Sequence, residues 1–108
     1  MTQAQGDLLK YTVRFAITDT ATLLTTLIET ALSDSVDWAA VKAVTLSCET
    51  NDVRVAFGVT PTQGATGLGH IIYVGATPRW DSNTWIRAAK LVSKTNGSAG
   101  AIQATLEY

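Results

Sequence analysis

NDVRVAFGVTPTQGATGLGHIIYVG, running from Asn51 to Gly75, divides into a strand, a loop and a second strand. Val53, Val55 and Phe57 alternate with Arg54 and Ala56, the period-two pattern of a half-buried strand. Pro61 then removes a ladder donor, and Gly64, Gly67 and Gly69 make a helix costly and leave a strand little to pack. The segment Pro61 to Gly69 is therefore expected as an exposed loop at one end of a sheet. His70 to Val74 is nearly continuously apolar, as in a central strand covered on both faces.

Upstream, Val44, Leu46 and Cys48 alternate with Thr45, Ser47 and Glu49, and the short Thr50-Asn-Asp52 link suggests an antiparallel hairpin with the Val53 strand. Further back, Leu9, Tyr11, Val13, Phe15 and Ile17 face one way across a strand from Leu9 to Ile17. Between them, Leu23, Leu24, Leu27, Ile28, Ala31 and Leu32 recur at helical spacing, with Asp19 or Thr20 as N-cap. The threonines in this segment lower helix propensity, so part of it is open to a strand reading. Trp38 to Val41 adds one helical turn.

Downstream, Gly75-Ala-Thr-Pro78 turns the chain. Thr84 to Lys94 reads as a strand, but no single register accommodates Ile86, Ala88, Ala89, Leu91 and Val92, so a β-bulge at Ala88 to Lys90 is expected. Asn96-Gly97 is a turn, and Ile102, Ala104, Leu106 and Tyr108 form the inward face of a closing strand. One-sided strands joined by tight turns imply a mainly β fold: one antiparallel β-sandwich domain over residues 1–108, jelly-roll-like, with one short helix.

Composition narrows the function classes. Charged residues are 16% of the chain, below the usual quarter or so, while seventeen Thr and six Ser supply a hydroxyl-rich surface. A net charge of −1 with scattered charges leaves no footprint for nucleic acid or an acidic membrane. Cys48, the single cysteine, permits neither an internal disulfide nor a thiolate metal cage and reads as a buried, inert thiol. MTQAQGDLLK does not read as a signal peptide, and no run is long and apolar enough for a membrane helix, which together point to a cytosol-like environment or to exit from the cell by a route other than secretion.

No catalytic, cofactor-binding or metal-binding constellation is expected. His70 is the only histidine and lacks an evident partner; Ser47 and Ser93 have no histidine nearby in sequence. Asp34, Asp37, Asp52 and Asp81 fall in turns, where aspartate caps backbone groups. The segment GATGLG lacks the Lys-Ser/Thr of a phosphate loop. Trp80 and Trp85 bracket Asp81-Ser-Asn83 behind Arg79, a grouping suited to stacking a sugar or anchoring a protein. Trp85 reads as a core plug within its strand; Trp80 is open to either role.

Val59-Thr-Pro-Thr-Gln63, then Gly67-Leu-Gly-His70, then the ending from Ile86 to Tyr108 resemble small virion proteins of tailed bacteriophages. The resemblance spans Val36 to Tyr108, and the helix at residues 21–32 departs from the plainest form of that fold. It implies a compact β-sandwich or jelly roll, frequently trimeric, that decorates or cements the capsid shell or serves as another accessory virion part, and the expectation taken from it is a non-enzymatic decoration or cement protein. The implied partners are further copies of the chain and the major capsid protein or another virion protein, and the implied location is the virion, assembled in the host cytoplasm. Trp38, Leu68 and Trp80 are then candidates for contacts between copies, and Thr60, Thr62 and Gln63 for uncharged hydrogen bonds from the loop. The alternative is a β-sandwich ligand-binding module for carbohydrate, reading its target with Trp80, Asn83 and nearby loops.

Overall fold

The computed structural model describes residues 10–108, so Leu9 and the residues before it lie outside the described residues. Alternation sets the first strand, β1 (Lys10–Ile17): Thr12, Arg14 and Ala16 are exposed, while Tyr11, Val13 and Phe15 pack against the core and Ile17 is buried. The threonine-rich segment divides as its composition allows. Thr22–Leu23 forms β2, and Leu24–Leu32 forms helix α1, which buries Leu24 and Ile28. Leu23 occupies the N-cap without a side-chain bond, so neither Asp19 nor Thr20 caps this helix. At its other end Ser33 turns left-handed, and the N–H of Asp34 donates to Glu29 O.

Six further strands follow: β3 (Ala43–Thr50), β4 (Val53–Phe57), β5 (His70–Ile72), β6 (Arg79–Trp80), β7 (Ala89–Ser93) and β8 (Gly100–Glu107). They make two four-stranded antiparallel sheets, ordered β1-β8-β3-β6 and β2-β7-β4-β5. The first strand pairs with the eighth, the second with the seventh, the third with the sixth and the fourth with the fifth. The core lies between the sheets, where Val44, Leu46, Ile102 and Leu106 meet Val53, Val55, Leu91 and helix α1's Ile28. Each such aliphatic side chain contributes roughly 1.5–3 kcal/mol on burial.

Four local expectations are corrected. Strands β3 and β4 lie in different sheets, so Thr50-Asn-Asp52 crosses between layers instead of closing a hairpin; Asn51 supplies the left-handed residue of that crossing, at φ 54°. Strand β5 is an edge strand that stops at Ile72, leaving Tyr73 and Val74 exposed. Thr84 to Lys94 is not one bulged strand but a short helix, α2 (Asn83–Ala88), running into β7. The period changes from helical to alternating at Ala88, which is why no single strand register fits. Trp38, expected at a surface, is 8% exposed and belongs to the core, and its indole N–H donates to Glu29 Oε2 at 2.9 Å.

Candidate interaction surface

The outer face of β4 decides where the glycine loop goes. Arg54 points away from the core yet is only 4% exposed, because the loop folds back over it. Its Nη1 donates to Gly69 O at 2.7 Å, its Nε and Nη2 to Gly64 O at 3.2 and 2.8 Å, and Nη2 also to Ala65 O at 3.2 Å. Among the described residues no carboxylate pairs with it. Carbonyl dipoles alone therefore compensate this buried charge, using the fixed fork of the guanidinium. The loop expected to be exposed at one end of a sheet does expose Thr62, Gly64, Ala65, Thr66 and Leu68, but it folds back as a cover over the sheet, with Pro61 buried. Two glycines make the close approach: a Cβ at Gly67 would sit 2.1 Å from Thr62 O, and one at Gly69 would sit 2.9 Å from Val55 O.

Asp19 fixes the cover from its far side. Its carboxylate accepts from Gln63 Nε2 at 2.8 Å, Ser93 Oγ at 2.9 Å and the Gly97 N–H at 3.0 Å. Gln63 Nε2 also donates to Ser93 Oγ at 2.7 Å, and the Gly64 N–H to Lys94 O at 2.7 Å. The Gln63 hydrogen bond first, then those from Gly97 and Ser93, holds Asp19 below the usual carboxylate range. Four separated chain segments are thereby tied at one point.

With the loop anchored, an apolar surface forms at the Phe57 end of β4. Phe57 stands between two indoles, its ring centre 5.2 Å from that of Trp80 and 4.7 Å from that of Trp85, both nearly perpendicular. Helix α2 sets the outward Trp. Ser82 Oγ accepts the Trp85 N–H at 3.4 Å, Ile86 is fully buried, and Trp85, a helical step away from it, is 54% exposed. With Trp85, a depression of about 370 Å³ is lined by Ala56, Phe57, Val59, Leu68, Gly69 and His70. A second, of about 300 Å³, is lined by Trp85 with Phe57, Arg79, Trp80, Asp81 and Ser82.

The sequence candidates divide between surface and scaffold. Leu68 is exposed on the first depression, while Trp80 and Arg79 line the second. Thr60 is exposed and accepts from Lys90 Nζ at 3.3 Å. Thr62 Oγ1 accepts the Leu68 N–H at 2.7 Å and closes the loop on itself. Gln63 is committed to Asp19 and Ser93, and the Asn83 amide donates to Trp38 O and Val41 O, so both hold structure. Trp85, read as a core plug, is the most open aromatic of the surface, and Val59 and Phe57 were missed altogether. For Trp85 the signal is the Ser82-Asn83 start of a helix whose inward residue is Ile86.

The chemistry-bearing residues remain dispersed. His70 lines the apolar depression at an exposed position. Among the described residues, no group of three or more His, Cys, Asp and Glu is placed to hold a metal. Cys48 is buried, and that burial, with Asp52 and Glu49 nearby, pushes its thiol up. No described helix is long and apolar enough to cross a membrane. No family model, curated protein or solved structure matches the chain.

Proposed function

We propose that this is a non-enzymatic structural protein of a bacteriophage virion, a capsid decoration or cement protein that acts as a homo-oligomer against the shell. The observation that carries the reading is the apolar surface of Val59, Leu68 and Trp85 at the end of the sandwich, backed by a loop whose backbone is pinned by Arg54. A fixed apolar surface loses little conformational entropy when covered, as repeated assembly contacts require. The pairing order supports it too: strand pairs 1–8, 2–7, 3–6 and 4–5 are what a hairpin rolled into a jelly roll produces, an architecture of viral capsid domains.

The test is binding to isolated capsids of the phage that encodes the chain. Saturation at a fixed number of copies per particle is expected, weakened at least about tenfold in the double variant Val59→Ser, Leu68→Ser. Both residues are more than half exposed, so these changes leave the core intact. The loop itself is left at full length in this test, because residues 63–68 supply the Gly64 and Ala65 carbonyls on Arg54 and the Gln63 bond to Asp19. Absence of saturable capsid binding by the folded protein removes the proposal.

A further inference from the structure

Trp85 lines two depressions of different chemistry, one of which carries charged and polar side chains. That one is lined by the aromatic side chains Phe57, Trp80 and Trp85 together with Arg79, Asp81 and Ser82. We propose that this depression is a binding site for a neutral pyranose sugar, one face of the ring lying on an indole and its hydroxyls reaching Asp81 and Arg79.

Three features select that ligand class. First, a pyranose has an apolar C–H face and a rim of hydroxyls, so it needs an open aromatic beside planar polar groups. Trp85 is 54% exposed, and Phe57 supports it from one side at a ring-centre distance of 4.7 Å. Second, the polar lining has capacity to spare. The Asp81 carboxylate accepts no hydrogen bond from the described residues, its nearest partner being Arg79 Nη1 at 3.8 Å, and its side chain is 78% exposed. It is free to accept from two adjacent hydroxyls. Third, the charge disfavours an anion. Arg79 is committed to Glu107 through Nε at 3.0 Å and Nη2 at 3.2 Å, besides the contact with Asp81, so there is no surplus positive charge to hold a phosphate or sulfate. A volume of about 300 Å³ suits one or two sugar rings on an open surface.

The site shares Phe57 and Trp85 with the apolar surface proposed for the capsid, so the two readings are told apart at Asp81, which lines only this depression, and at Val59 and Leu68, which line only the other. The experiment follows the indole N–H signals of Trp38, Trp80 and Trp85 by ¹⁵N NMR while the full chain is titrated with cellohexaose, maltohexaose, chitohexaose and lactose. The Trp38 indole, bonded to Glu29 in the core, is the internal control. The expected result is a saturable shift of the Trp80 and Trp85 signals with at least one sugar, Trp38 unmoved. Asp81→Asn, a change at an exposed side chain, is expected to weaken that binding at least about tenfold, and Trp85→Ala to abolish the shift at Trp80. No shift with any of the four sugars at up to about 10 mM, or an affinity unchanged by Asp81→Asn, overturns the proposal.

Discussion

Arg54 shows how one side chain converts a flexible sequence into a fixed surface. Alternation places it on the outer face of β4, and nothing in the strand pattern reveals that three loop carbonyls, of Gly64, Ala65 and Gly69, will close over it. Replacing it with Met preserves apolar bulk but strips those carbonyls of their donors. The expected loss is about 2–3 kcal/mol, read as a lower urea midpoint with an unchanged slope. Arg54→Lys should recover only part of it, because an ammonium does not span the same fork. Asp19 makes the second residue-scale prediction. Its folded pKa is depressed by the bonds from Gln63, Gly97 and Ser93, so its contribution is present above the ordinary carboxylate value and is lost as pH falls through the folded one. Glu49, held low chiefly by Arg14, acts in the same direction. Asp19→Asn should therefore flatten, without abolishing, the fall in thermal midpoint on acidification from about pH 5 to pH 2. A slope identical to the parent's would show that the clamp does not form in solution.

At the scale of elements, strands with one wet face were legible and elements that change period were not. β1, β3 and β8 follow their alternation because each has the core on one side and water on the other. β4 does not, since the loop buries its outer face as well, and β5 reads as central from apolar content although it lies at an edge. Helix α2 was invisible because six residues are too few to establish a helical period before β7 begins. The glycine loop was correctly read as neither helix nor strand, but not as a cover. Gly67 tests that role: a methyl there would meet Thr62 O at 2.1 Å, and no positive φ is involved. Gly67→Ala should thus cost roughly 1–3 kcal/mol through the clash. Amide exchange should quicken in residues 61–69 well before it does in β8, and equal quickening in both would mean that the loop is not a separately opening unit.

For the whole molecule, the two-sheet architecture followed from pattern alone, whereas the surface at the end of the sandwich depended on which residues the topology brings together. Leu68 and Trp80 were visible as apolar residues outside clean registers; Phe57, Val59 and Trp85 joined them only once β4, the loop and α2 were placed. That convergence sets the last prediction. A charge of −1 leaves little repulsion between copies, and an exposed group of large apolar side chains is the kind of surface that a closed oligomer buries on every copy at once. At micromolar concentration, light scattering should give a mass that is a multiple of 11.5 kDa, with a trimer expected. Val59→Ser with Leu68→Ser should shift the population toward the single chain without altering the thermal midpoint at matched monomer fraction, because both side chains are exposed in the isolated fold. Trp38→Phe, a change inside the core, should instead lower the midpoint by removing the hydrogen bond to Glu29. A parent protein that remains at 11.5 kDa at every accessible concentration would exclude self-association and leave the apolar surface to the shell alone.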